Sequence, residues 1–223
     1  MRLCPFSFSW PTLLFSAIAV LAISSDIQAQ DDYWDPGYDS GGGGGGGIFS
    51  GGTYFRYGYL DVGYINTDFK RGGIGSADGI GAELSIPLIK SLYVKAGFDY
   101  ASLSDLDYFA WELGGGIGIP LNDSVDLVLE GGLAHQTLDA DVFDSFENIV
   151  DGYGFYLYPH LRLGFGEIIE INGGVRYLNV DAIDEFGVDL KLFLHLTEGI
   201  SVWGNALLGE DLNQYGVGLR LSF

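Results

Sequence analysis

Apolar and polar residues alternate with a period of two from Thr53 onward, which marks β-strands rather than helices. In YGVGLRLSF, Tyr215, Val217, Leu219, Leu221 and Phe223 fall on one face, and Gly216, Gly218, Arg220 and Ser222 on the other. The same alternation recurs in AELSIPL (82–88), GGIGIPL (115–121), PHLRLGF (159–165) and LKLFLHL (190–196), each ending in Leu or Phe. A second set interleaves with it: LYVKAGFDY (92–100), LVLEGGLAH (127–135), IEINGGVRY (169–177) and ISVWGNALL (200–208), with the segment around YLDVGYI (59–65) as a further member. Five segments of each kind predict ten strands joined as five hairpins, an internal repeat of one supersecondary unit.

Connection lengths select the architecture. Turns around 89–91, 122–124, 166–167 and 197–199 are tight, whereas the opposite ends carry longer acidic connections, notably 136–151 and 179–186. An even number of strands, each about ten residues long, with short turns at one end and long loops at the other, predicts an all-β fold: a closed, transmembrane, up-and-down antiparallel β-barrel. Closure is required because an open sheet edge in lipid leaves backbone groups unsatisfied. A soluble barrel would turn its apolar face inward, and the charges decide between the two. With the aliphatic face outside, Lys95, Arg162, Arg176, Lys191 and Arg220 point into the lumen beside Glu83, Asp99, Glu112, Glu130, Glu170, Asp189 and His160, where opposite charges neutralise one another. A continuous exposed band of Leu, Ile and Val is an aggregation hazard in water and the required surface in lipid.

Composition sharpens this picture. The chain has 223 residues with 30 acidic against 10 basic side chains, a formal charge of -20, so it lacks the clustered cations that nucleic-acid binding needs. A hydrophobic content of 48% excludes disorder for the bulk of the chain. Residues 1–29 read as a secretory signal peptide: Arg2, then an apolar run from Leu13 to Ile23, then polar SSDIQAQ. The only cysteine, Cys4, lies within it, so the exported chain is expected to hold neither a disulfide nor a thiolate-bound metal. Residues 30–52, with seven consecutive glycines after Ser40, read as a flexible acidic linker. They lack the strand, helix and Lys of a phosphate loop. The barrel domain is expected over 53–223.

Candidate chemistry is sparse. His135 occupies the repeat position held elsewhere by Tyr100, Tyr177 and Leu208, which suits an interfacial girdle better than a general base. His160 faces inward beside Arg162, as a hydrogen-bonding partner or a proton-transfer group, and His195 faces inward near a tight turn. An omptin-like protease would need an Asp-x-His element, which the chain lacks, and a lipid deacylase a Ser and a His within reach at the membrane face. The loop side carries Asp105, Asp107, Asp139, Asp141, Asp144, Glu147, Asp151, Asp181, Asp184, Glu185, Glu210 and Asp211. One reading is a solvated acidic surface. The other is divalent-cation binding that bridges to anionic lipid phosphates, with Asp139, Asp141 and Asp144 as metal candidates, although the stretch lacks the Gly and Glu of an EF-hand loop. Glycine clusters at 114–116, 131–132 and 173–174 are expected to relieve crowding inside a small barrel. No catalytic residue and no cofactor are assigned.

From Thr53 to Phe223 the chain resembles the small bacterial outer-membrane β-barrel proteins, the OmpA-like and porin-like group. The most specific element is the final strand, where Tyr215, Val217, Leu219, Leu221 and Phe223 look like the signal read by the outer-membrane assembly machinery. The resemblance implies a Gram-negative outer membrane, lipopolysaccharide as surrounding lipid, periplasmic chaperones and assembly machinery as partners, and long loops facing outward. The chain departs from OmpA in having no peptidoglycan-binding domain after the barrel, so cell-wall tethering is not expected. The implied function is a non-enzymatic structural barrel or a narrow porin-like passage, its lumen either plugged by paired charges or conducting small cations. A rim-located hydrolase acting on lipid A or protein is the alternative.

Overall fold

The structure is a computed structural model that describes residues 55–70, 75–89, 91–103, 106–140, 150–181 and 183–223. The expected signal peptide and linker, and Asp141 and Asp144, lie outside the described residues. Ten strands form in chain order: β1 (Tyr59–Phe69), β2 (Gly75–Ile89), β3 (Leu92–Leu103), β4 (Leu106–Asn122), β5 (Val125–Ala140), β6 (Val150–Phe165), β7 (Ile169–Val180), β8 (Ile183–His195), β9 (Ile200–Gly209) and β10 (Leu212–Ser222). Each pairs antiparallel with its sequence neighbours, and β1 pairs with β10, so the sheet closes on itself.

The tight turns have local causes. Asn122 Oδ1 accepts the Ser124 N–H at 2.9 Å, and the Thr197 hydroxyl accepts the Ile200 N–H at 3.1 Å, so each side chain substitutes for a backbone turn bond. Gly166 takes a φ of 63°, which a Cβ would oppose. Pro87 and Pro120, each in an IPL motif, sit at register shifts near the ends of β2 and β4, where the missing N–H costs no ladder bond.

At the opposite edge the structure corrects the expected loops. β5 runs to Ala140 and β6 starts at Val150, while β7 and β8 are separated only by 181–182. Strands are accordingly 10 to 17 residues long. Strand pairing persists past the apolar band because polar side chains bridge the hairpins: Tyr177 Oη donates to Asp184 Oδ1 at 3.0 Å, and Asn179 donates to the same carboxylate. Asp107, Asp139, Asp151, Asp184 and Glu185, expected in loops, therefore stand on strand ends. β1 begins at Tyr59, at the start of the expected segment 59–65, and residues 55–58 join no ladder.

Alternation sorts the side chains. Leu133 is 59% exposed and its neighbour Ala134 1%, and the same contrast runs around the whole sheet through Leu113, Phe155, Val188, Leu190, Val217 and Leu219 on the outside. Inside, Gly114, Gly116 and Gly118 hold successive inward positions of β4, and a Cβ at each would collide with the hydroxyl ends of Tyr156, Tyr93 and Tyr57 respectively. These three glycines thus form a groove that receives tyrosines from the neighbouring β3, from β6 and from the segment before β1, a more specific role than relief of crowding.

A charge on the outer band is expected to be costly. Leu133→Arg, near the middle of β5, should lower unfolding free energy in lipid vesicles by about 2–4 kcal/mol, read from urea titration of tryptophan fluorescence.

Candidate functional site

Among the described residues the lumen is the polar interior of the barrel, where carboxylates outnumber cations and every strand cation is matched by a carboxylate. Glu83, Lys95, Asp99, Glu112, Glu130, His160, Arg162, Glu170, Arg176, Asp189, Lys191 and Arg220 all stand on inward faces. Each of the five cations has a carboxylate partner. Lys95 Nζ lies 2.6 Å from Glu130 and 3.3 Å from Glu83, Arg162 Nη2 lies 2.8 Å from Glu170, and Arg176 pairs with Glu112. Lys191 and Arg220 share Asp61, at 2.6 Å each. Buried charges are tolerated only when paired and hydrogen-bonded, and tyrosines supply further donors: Tyr59 Oη to Glu83 at 2.6 Å, and Tyr93 Oη to Glu130.

These pairs divide the lumen. Toward the acidic edge lies a vestibule of about 140 Å³, where Asp61, Glu83, Asp99, Glu112, Glu185 and Asp189 face Arg176 and Lys191. Toward the tight turns lies a mouth of about 560 Å³ lined by Phe55, Arg56, Arg162, Glu170, His195 and Arg220, among others. The two cavities share no lining residue. The Asp61–Arg220 pair is part of the partition, with Asp61 facing the vestibule and Arg220 the mouth. Arg220 is further clamped between the rings of Tyr59 at 3.6 Å and Phe193 at 4.0 Å. On the other side of the cross-section, Phe55 and Tyr57 pack with Tyr93 and Val128 beneath the Arg162 guanidinium, 4.6 and 4.8 Å from the two ring centroids.

Sequence reasoning did not find Asp61, Asp126, Phe55 or Tyr57. Asp61, only 2% exposed, is the acceptor for two cations, and Asp126 accepts the Tyr57 hydroxyl at 2.7 Å. Alternation within β1 was the available signal for Asp61, because it shares a face with Gly63 and Ile65 and not with Val62 and Tyr64. Phe55 and Tyr57 share the inward parity of Tyr59 and Asp61, but nothing in the local pattern indicates that the chain leaves the sheet there.

On the outer surface His135 lies in a girdle, its ring 5.7 Å from Trp111 and 4.3 Å from Tyr153, with Nε2 3.2 Å from Asp151. Thr137 pairs in register with Asp151, yet His135 Nδ1 is buried without a hydrogen-bond partner. A second His constellation faces inward. His195 Nδ1 meets Ser201 Oγ at 2.7 Å and Nε2 lies 3.6 Å from Glu170, but Ser201 is 1% exposed and Glu170 is already held by Arg162. Neither arrangement offers substrate an accessible hydroxyl bonded to its base. His160 packs on Tyr158 at 4.3 Å. The acids of the outer edge follow a repeated device: Tyr64 with Asp78, Tyr100 with Asp107 and Tyr177 with Asp184, each a tyrosine donating to an aspartate on the next strand. Asp139 faces Asp107 in register, and no cluster of three metal-ligating side chains forms among the described residues.

No family model matches the chain, and no curated protein matches it. Solved structures similar to it are bacterial outer-membrane barrels. The N-terminal β-barrel domain of Pseudomonas aeruginosa OprF is 11% identical, over 75% of this chain and 100% of that one, at a TM-score of 0.45. The KdgM porin is 12% identical over 74% and 99%, at 0.45, and outer membrane phospholipase A from Escherichia coli is 14% identical over 75% and 98%, at 0.38.

Removing the shared acceptor should be severe. Asp61→Asn leaves Lys191 and Arg220 without their carboxylate, with an expected loss of about 3–5 kcal/mol in urea unfolding. Adding Arg220→Gln should recover part of that loss, because one stranded cation is removed with its partner.

Proposed function

We propose that this chain is a non-enzymatic outer-membrane barrel whose lumen is closed in its resting state, a structural protein of the membrane more than an open porin. The observation that carries this reading is the pairing of a closed sheet, aliphatic on its outside, with an interior in which each of the five lumen cations is matched by a carboxylate. The exterior suits hydrocarbon, and cations paired across the interior are the arrangement expected of a plugged lumen. Residues 1–29 act as the export signal and 30–52 as a linker, and the final strand from Tyr215 to Phe223 addresses the chain to periplasmic chaperones and the assembly machinery.

In this placement the tight turns face the periplasm and the Tyr–Asp edge meets lipopolysaccharide. Divalent cations are the natural counter-ions where Asp107, Asp139, Asp151 and Asp184 approach lipid phosphates. No cofactor is needed. The acidic vestibule gives any residual leak a preference for cations.

Two measurements on the refolded full chain test this. In unheated SDS it should keep its sheet signal in far-ultraviolet circular dichroism and migrate faster than the boiled chain. In planar bilayers it should give no resolved current steps. Wide, weakly selective steps from the unmodified chain would show an open porin instead.

A further inference from the structure

The septum has two halves of different construction. One half, Asp61 with Lys191 and Arg220, belongs to strands β1, β8 and β10 and is fixed by their ladders. The other half is residues 55–58, which precede β1 and pair with no strand.

The strap is held by side-chain contacts in a shaped socket and, at the mouth, by Arg56, whose guanidinium donates to the Glu198 carbonyl at 3.2 Å and lies 3.7 Å from its carboxylate. Tyr57 stacks on Tyr93 with centroids 4.9 Å apart, and its hydroxyl donates to Asp126 at 2.7 Å. The Ser85 hydroxyl donates to the Tyr57 carbonyl at 2.7 Å, and the Arg162 guanidinium reaches the Arg56 carbonyl at 3.4 Å. Gly118 is flush with the wall where the Tyr57 hydroxyl arrives, so the socket has no room for any larger residue there. Phe55 and Tyr57 are 5% and 3% exposed, and behind them Val128 is wholly covered. None of these contacts is a rung of the sheet, so the strap can leave while every ladder bond of the barrel stays intact. Local opening of a segment that pairs with no strand costs far less than global unfolding.

We infer that residues 55–58 are a releasable stopper: seated, they complete the septum, and released, they join the mouth to the acidic vestibule along the β3–β6 side of the lumen. This rests on the closed-lumen reading above and adds which part of the closure can move. The opened path passes Asp126 and Glu130 with Lys95 and Arg162, carboxylates and cations in equal number, before it enters the vestibule where carboxylates outnumber cations, so it should favour small cations.

The test uses the full chain in a Cys4→Ser background with Val128→Cys as a reporter. Two variants release the strap from opposite sides: Phe55→Ala with Tyr57→Ala empties the socket, and Gly118→Val fills it without touching the strap. Each is first checked for the faster-migrating folded form in unheated SDS. Planar-bilayer recordings should show current steps that favour potassium over chloride in both variants and none in the parent. A soluble maleimide should label the reporter thiol about ten-fold faster in both than in the parent. The stopper is overturned if folded variants stay silent, if labelling does not accelerate, or if the parent already conducts as the variants do. Should one variant fail to fold, the other carries the decision. Failure of the parent to form the faster-migrating species would refute the membrane-barrel reading itself, a result distinct from a folded but unresponsive strap.

Discussion

In hydrocarbon every backbone N–H and C=O must find its partner within the protein, and all else in this molecule follows from that demand. The sheet therefore cannot have an edge. The closing seam between β1 and β10 runs through eleven paired positions, from Tyr59 opposite Ser222 to Phe69 opposite Leu212. Once the sheet is closed, period-two alternation leaves only two surfaces. The outer one takes the Leu, Val, Ile and Phe that make an acidic chain hydrophobic on average, and the inner one takes what lipid excludes.

A ten-strand closure makes that inner surface narrow, and narrowness dictates its contents. Charges confined there cannot keep full hydration shells, so the lumen cations lie within ion-pair distance of carboxylates and several are capped by aromatic faces. Asp61 and Arg220 are direct rung partners across the seam, so a slip of one residue would turn Asp61 toward lipid while leaving Arg220 inside. The same pair that partitions the lumen thus fixes the register that closes the barrel. Glycine serves the same geometry: three inward glycines on β4 leave room for the tyrosine side chains packed over them, where any Cβ would collide.

Much of this architecture was legible in the sequence because alternation is a strong signal when one face must be aliphatic. The strand number and the tight turns followed from it. The acidic connections misled because polarity was read as loop. Tyr177 and Asp184 show why: a hairpin can continue above the apolar band if side chains bridge its strands, and composition does not reveal such a bridge. Phe55 and Tyr57 were hidden for a different reason. Their place depends on Gly118, Asp126 and Arg162, far away in sequence, and no local period encodes a contact of that kind.

The central physical claim is which face of the sheet meets lipid, and two tryptophans report on it directly. Trp111 lies in the outer girdle with Tyr153, whereas Trp203 points inward, 6% exposed, with Lys191 4.5 Å above its ring. Variants that keep a single tryptophan, refolded into vesicles containing brominated lipid, separate the two faces by contact quenching. Strong quenching of Trp111 and little of Trp203 is expected. Quenching of Trp203 with Trp111 spared would mean that the inner face, not the aliphatic one, is turned to the membrane.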